Sequence, residues 1–126
     1  MSAQSKSKPE SVVQSQLDAY NAKNIDDLME VYADDAQQFE HPAKLLASGA
    51  TEIRPRFEAR FKEQNLHAQL LNRIVSGDVV IDHEIVTRTF PEGTGKIELV
   101  AIYEVKDERI AKAWFISDKK TLDSKA

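Results

Sequence analysis

The sequence predicts an α+β domain in which helices come first and strands follow. Between Pro9 and residue 65, apolar residues recur at three- and four-residue spacing, as on one face of an α-helix. From Leu66 onward, apolar and polar residues alternate, which is typical of half-buried strands. Short turn sequences separate four such strands, so we predict a mainly antiparallel, curved sheet with three helices packed on one face.

Length and composition indicate one domain. The 126 residues are 41% hydrophobic and 30% charged, which is ordinary for a globular protein. No apolar run approaches the ~20 residues of a membrane span, and the start of the chain lacks a signal peptide's apolar core. The absence of cysteine fits the reducing cytoplasm, our predicted location. The net charge of −4 argues against nucleic acid as a partner.

The first two helices are predicted from Pro9 onward. Proline suits the first turn of a helix, because its missing N–H has no partner there in any case. Val12, Val13, Gln16, Leu17 and Tyr20 recur at helical spacing and form the predicted inner face of the first helix. After "NAKN", a short second helix follows with a stripe of Ile25, Leu28, Met29 and Tyr32. The acidic "ADDA" is predicted to end it in a turn.

The third helix is predicted over "TEIRPRFEARFKEQN", with Ile53, Phe57 and Phe61 on one face and Thr51 as a candidate N-cap. Before it, "QQFEHP" is predicted to be extended and "LLASGA" to be a loop. The four strands are "LHAQLLNRIVS", "VVIDHEIVTRTF", "KIELVAIYEV" and "RIAKAWFIS". We expect a disordered tail over 1–8, a single domain over 9–118 and a C-terminal tail over 119–126.

The stretch "VVIDHEIV" places a histidine on an apolar face. Strict alternation puts Ile81, His83 and Ile85 on one side of a strand and Asp82 and Glu84 on the other. We expect the apolar side to face the interior and the acids to face water.

Several phrases resemble the nuclear transport factor 2-like superfamily, which includes ketosteroid isomerases and SnoaL-type polyketide cyclases. They are "SVVQSQLDAYNAKNIDDLMEVYADDA", then "FEHP" and "SG", and finally "VAIYEVKDERIAKAWF". The resemblance spans about residues 9 to 118 and implies a cone-shaped fold with a pocket on one sheet face. It does not by itself imply one activity, because this scaffold supports unrelated chemistries.

The resemblance also implies pocket positions. His83 on one strand, Ala101 and Tyr103 on the next and Trp114 on the last would line the inner face. The isomerase tyrosine, protonated aspartate and base aspartate correspond to Gln16, Ala101 and His41, the last only with one inserted residue; without the insertion the base corresponds to Glu40. None of these isomerase residues is retained, so standard ketosteroid isomerisation is not expected.

His83 and His41 are the candidate catalytic residues. A neutral imidazole in an apolar cavity can accept a proton as a general base, whereas a core histidine bonded to the backbone is the structural alternative. For His41 at the cavity rim, the alternative is an exposed loop residue. The predicted ligand pocket consists of Gln16, Tyr20, Phe57, Ala101, Tyr103 and Trp114.

We expect no metal and no cofactor, because His41 and Glu40 point in opposite directions on an extended segment and no third ligand joins them. The "RPRFEAR" cluster is interpreted as a solvated helix face, since glutamates interleave it. The outer sheet face carries apolar residues, which predicts a homodimer.

The predicted function is binding of a small hydrophobic ligand, with acid–base isomerisation, cyclisation or dehydration of a carbonyl compound as the candidate chemistry. The alternatives are a non-catalytic ligand-binding protein and a dimeric interaction module.

Overall fold

The structure, a computed structural model, describes residues 8–123, apart from the side chain of residue 119. Within this range, three helices and six strands follow the chain in the order α1, α2, β1, β2, α3, β3, β4, β5, β6. The helices are α1 Pro9–Asn21, α2 Ile25–Glu30 and α3 Ala50–Arg60. The strands are β1 Tyr32–Glu40, β2 Lys44–Ser48, β3 His67–Ser76, β4 Val79–Phe90, β5 Gly93–Lys106 and β6 Arg109–Leu122.

The strands form one sheet in the order β2-β1-β6-β5-β4-β3. Strands β3 to β6 are the predicted antiparallel meander, and β1 joins it by running parallel to β6. The helices pack against one face of this sheet, so the predicted α+β arrangement is confirmed.

Local sequence explains where the helices begin. Pro9 lies in the first turn of α1, as predicted from its missing N–H. Asn24 caps α2, because its side-chain oxygen accepts a hydrogen bond from the backbone N–H of Asp27 at 3.0 Å. The cap of α3 is Gly49 with a φ of 88°, and not the predicted Thr51. Glycine adopts this left-handed backbone without the steric cost that a Cβ would add.

Two segments predicted to be irregular are strands. The turn predicted at "ADDA" belongs to β1, and the loop predicted at "LLASGA" contains most of β2. The chain end differs as well, because β6 continues through Leu122 and pairs with β5 beyond residue 118. Residues 119–122 are therefore part of the sheet. The predicted disordered tail lies outside the described residues except for Lys8.

The core lies between the helices and the inner face of the sheet. Leu28, Tyr32, Ile53 and Ile110 are the largest apolar side chains buried almost completely there. Near one end of this interface, the rings of Tyr20, Phe57 and Phe61 pack edge-on or tilted against one another. These aromatic contacts hold α1 against α3 above the sheet and form one side of a cavity.

Candidate active site

A cavity of about 240 Å³ opens between α1, α3 and the inner face of the sheet. Its walls combine apolar side chains, among them Leu17, Phe57, Leu99 and Phe115, with several polar ones. Pockets that bind small molecules commonly have this composition, in which apolar surface supplies affinity and a few polar groups fix orientation.

The inner face of β4 carries two acidic residues, Asp82 and Glu84. Asp82 is 0% exposed, and Arg73 on β3 donates to its two carboxylate oxygens at 2.7 and 2.9 Å. Such a paired, two-point hydrogen bond compensates the charge of a buried carboxylate. Asp82 is therefore held as a structural ion pair beside the cavity.

Glu84 lines the cavity and is 4% exposed, yet no hydrogen bond to its carboxyl group is present within the described range. Burial raises the pKa of Glu84 to about 7, and the negative charge of Asp82 acts in the same direction, while Arg73 opposes both. Near neutral pH the carboxyl group is therefore present in both its protonated and its ionised form.

Three tyrosines surround the same polar interior. Burial raises the pKa of Tyr20, Tyr32 and Tyr103, so their hydroxyl groups stay protonated and remain hydrogen-bond donors. The Tyr103 hydroxyl donates to Oε1 of Gln16 at 3.4 Å. The Tyr32 hydroxyl is buried and completes no hydrogen bond of good geometry. The interior thus holds neutral donors next to one titratable acid.

Three arginines line the more exposed part of the cavity, and we call Arg56, Arg60 and Arg88 the arginine rim. Arg88 pairs with Glu63 through two contacts of 2.7 and 3.2 Å. Arg60 lies 3.8 Å from the same carboxylate. Partial burial alone would raise the pKa of Glu63, but hydrogen bonds from Arg88 and from the Thr89 backbone lower it.

Four of the residues predicted from the sequence line this cavity: Gln16, Tyr20, Phe57 and Tyr103. Ala101 lies on the inner face as expected, but it is fully buried beneath the cavity wall and does not line it. His41 is exposed on the turn after β1, and its backbone N–H donates to the carbonyl of Phe115 at 2.9 Å. Its neighbour Glu40 lines the cavity instead.

The prediction that His83 points into the cavity is wrong. His83 pairs across the sheet with Val100, whereas Asp82 pairs with the inward Ala101. The His83 side chain is 37% exposed on the outer face, where its Nε2 lies 2.5 Å from the Glu98 carboxylate. Adjacent residues on a strand point to opposite faces, so burying Asp82 and Glu84 turns His83 outward.

Trp114 lies on the outer face too, which corrects its predicted place in the pocket. It pairs with Ile102 and stacks on Phe39 at a ring-centroid distance of 5.6 Å. Phe115, the next residue, faces inward and lines the cavity. The register of β6 thus differs by one residue from the predicted one.

Sequence reasoning missed Glu84, Arg56 and Arg60 as cavity residues. The strand pairing could have indicated Glu84. Ala101 and Tyr103 were predicted to face inward, and their cross-strand partners on β4, Asp82 and Val80, have even numbers, as Glu84 does. Within residues 8–123, no group of three or more His, Cys, Asp or Glu side chains is arranged to hold a metal ion. None of the helices described is long and apolar enough to cross a membrane.

The family model for the SnoaL-like domain matches residues 13–113. The chain belongs to this family. The resemblance to the nuclear transport factor 2-like superfamily is thereby confirmed, and solved structures of SnoaL-like and ketosteroid isomerase-like proteins share the fold. No curated protein sequence matches the chain.

Three solved structures illustrate how widely the SnoaL-like fold of this chain is shared. An uncharacterized cystatin-fold protein from Novosphingobium aromaticivorans superposes with a TM-score of 0.81 at 22% identity, covering 87% of this chain and 98% of the other. A candidate polyketide cyclase from Sinorhizobium meliloti gives 0.69 at 25% identity, covering 83% and 93%. A candidate SnoaL-like polyketide cyclase from Shewanella putrefaciens gives 0.77 at 15% identity, covering 87% and 89%.

Proposed function

We propose that the chain binds a small carbonyl compound in its cavity and transfers a proton at the carbon next to the carbonyl, as an isomerase, cyclase or dehydratase does. Glu84 is the group that moves the proton. The observation that carries this proposal is the position of the Glu84 carboxyl group on the cavity wall, buried and without a hydrogen-bond partner within the described range.

The proposed chemistry begins with the ionised form of Glu84. Its carboxylate removes a proton from the carbon beside the ligand's carbonyl, and the electron pair of the broken C–H bond moves onto the carbonyl oxygen. The Gln16 amide is the donor placed to stabilise that oxygen, because its own oxygen already accepts from Tyr103 and its N–H₂ group remains available. The protonated Glu84 then returns the proton to another carbon, or to a leaving oxygen in a dehydration.

A carboxyl group with a pKa near 7 suits this role. A group that both accepts and returns a proton works best when its pKa lies near the working pH. Burial and the charge of Asp82 raise the pKa of Glu84 into this range. The family adds support, because the Sinorhizobium meliloti relative at 25% identity is a candidate polyketide cyclase.

Exchange of carbon-bound hydrogen for deuterium tests this chemistry directly. The probe is 2-tetralone, a ketone with acidic hydrogens beside its carbonyl, followed by proton NMR in D₂O. We expect the wild-type chain to accelerate exchange, with a rate that rises with pH around 7 as Glu84 ionises. E84Q should reduce the protein-dependent rate by about 10²- to 10⁴-fold, the usual contribution of a general base.

The matched control is E98Q, which removes an exposed glutamate from the outer face beside His83. E98Q should exchange 2-tetralone at the wild-type rate. Exchange no faster than in buffer, or an E84Q rate equal to that of the wild type, would refute the proposed role of Glu84.

We also propose that two copies of the chain associate through the outer face of the sheet. This face presents large exposed apolar side chains, including Ile74 at 54% and Ile116 at 41% exposure, beside the stacked pair Phe39 and Trp114.

A further inference from the structure

We infer that the ligand of this cavity carries an oxyanion, a carboxylate or a phosphate group, that binds Arg56 and Arg60 of the arginine rim. The inference rests on the proposed function of the same cavity and names the chemical class of its ligand.

Arg56 lines the cavity, is exposed to solvent overall and has no acidic partner within the described residues. Within the described residues, no carboxylate lies within 4 Å of its guanidinium group, and its side-chain partner is the neutral oxygen of Gln38 at 3.3 Å. Partial burial lowers the pKa of Arg56, and the positive charge of Arg60 lowers it further. A guanidinium without a counter-charge beside a second cation is an arrangement that an incoming anion stabilises.

The charges around the arginine rim do not balance. Within the described residues, Glu63 is the one carboxylate within 4 Å of the rim; Arg88 binds it with two hydrogen bonds, and Arg56 does not contact it. Arg60 comes no closer than 3.8 Å to the Glu63 carboxylate, which is beyond hydrogen-bond distance, so Glu63 does not occupy its donors. Glu40 also lines the cavity, but its carboxylate lies 3.8 Å from Lys44.

Helix α3 places Arg56 and Arg60 on the side that faces the cavity. Arg56 and Arg60 are four residues apart, so they lie on the same helix face, where like charges destabilise a helix. Arg54, two residues earlier, points away from the cavity and pairs with Asp26 and Glu58. Arg54 is thus neutralised, whereas Arg56 and Arg60 line the cavity without equivalent compensation. The cluster is exposed to solvent, as predicted, and two of its arginines also reach the cavity.

Tyr20 connects the arginine rim with Glu84. Burial is the main effect on the pKa of Tyr20, but the charges of Arg60 and Arg88 lower it and that of Glu84 raises it. Its hydroxyl group therefore lies within electrostatic range of both regions. A ligand that binds the rim through an anionic group extends past Tyr20 and brings its carbonyl toward Glu84.

Binding of three related probes tests the inference. They are 2-naphthoate, 2-naphthyl phosphate and the neutral 2-naphthamide, and isothermal titration calorimetry measures each dissociation constant. We expect at least one anion to bind more tightly than the amide. R56Q should weaken the binding of that anion by about ten- to a hundredfold, which is the effect of losing one charge-assisted contact. It should leave the dissociation constant of the amide unchanged.

R54Q is the matched control, because it removes the same charge from the same helix on the side away from the cavity. It should leave the affinity for all three probes at the wild-type value. Tighter binding of naphthyl phosphate assigns a phosphate ligand and tighter binding of naphthoate a carboxylate, and both support the inference.

Equal affinities for anions and amide, or an R56Q variant that binds the anions like the wild type, overturn the inference. Failure of all three probes to bind overturns it as well. The proposed function fails separately: an E84Q variant that exchanges 2-tetralone at the wild-type rate refutes the role of Glu84 whatever the probes show.

Discussion

At position 84, burial and a neighbouring charge act in the same direction on one carboxyl group. Leu99 is the cross-strand partner of Glu84, and Asp82 lies two residues before Glu84 on the same face of β4. Asp82 has Arg73 as a two-point partner, whereas Glu84 has no such partner within the described range. Removing a carboxylate from water favours its protonated form, so the same strand holds one structural acid and one titratable acid.

This difference predicts how E84Q changes stability with pH. The pKa of Glu84 is about 7 in the folded chain against an ordinary value of 4.5, so folding takes up a proton between these values. The contribution of Glu84 to the free energy of unfolding therefore falls as the pH rises from 4.5 to about 7, and is constant above that.

Glutamine at position 84 has no proton to lose, so E84Q should gain stability relative to the wild type by about 3 kcal/mol between pH 4.5 and pH 8. Urea unfolding of both proteins across this range measures the difference. E30Q serves as the control for an exposed glutamate, since Glu30 ends α2 at the surface, and should show no comparable trend. A wild-type minus E84Q difference that does not vary with pH would contradict the buried position of Glu84.

The face on which Glu84 lies could be predicted only through the partner strand. Alternation alone separates Asp82 and Glu84 from His83, but both faces of β4 carry apolar residues, so hydrophobicity does not decide which face is inside. Phe90 pairs with Gly93 around a two-residue turn, and this register places Asp82 opposite Ala101. Cross-strand partners lie on the same face of the sheet, so if Ala101 and Tyr103 face inward, Asp82 and Val80 must face inward too.

At the scale of the elements, the Arg73–Asp82 ion pair joins β3 to β4 and stabilises their pairing. Asp82 is completely buried, and Arg73 is the side chain that neutralises it. R73Q should lower the free energy of unfolding by about 3 kcal/mol or more, because it leaves a buried carboxylate without a counter-charge. Urea unfolding measures this loss.

R88Q provides the comparison, since its partner Glu63 is partly exposed and water can solvate the carboxylate that remains. R88Q should lower the free energy of unfolding clearly less than R73Q does. Equal losses of unfolding free energy in the two variants would show that the burial of Asp82 does not determine how much R73Q destabilises the fold.

Strands β1 and β2 illustrate why some elements could not be predicted. Asp34 and Asp35 favour turns, yet they lie exposed within β1 at the point where its register against β6 shifts. The rest of β1 is fixed by pairing with residues far along the chain, for example Gln38 with Ala113. Such distant pairing overrides local propensity, whereas the meander of β3 to β6 depends on neighbouring strands and short turns, and was predicted.

At the scale of the whole molecule, the outer sheet face predicts a two-fold dimer. I116D places a charge among the exposed apolar residues of this face and should convert the dimer to a monomer. Light scattering at micromolar concentration measures the mass, which should be twice that of the chain for the wild type.

A59D is the control for this variant, because Ala59 is exposed on α3 and not on the sheet. It should remain dimeric, and circular dichroism should show that both variants are folded. A wild-type protein with the mass of a single chain would contradict the dimer.

The most direct test of the account is an NMR titration of the glutamate side-chain carboxyl carbons, with E84Q used to assign the signal of Glu84. We predict one glutamate signal with a midpoint near pH 7, absent from E84Q and unchanged in E98Q. If the signal that E84Q removes instead has a midpoint near the ordinary glutamate pKa of 4.5, Glu84 is an ordinary ionised carboxylate and the proposed proton transfer loses its basis.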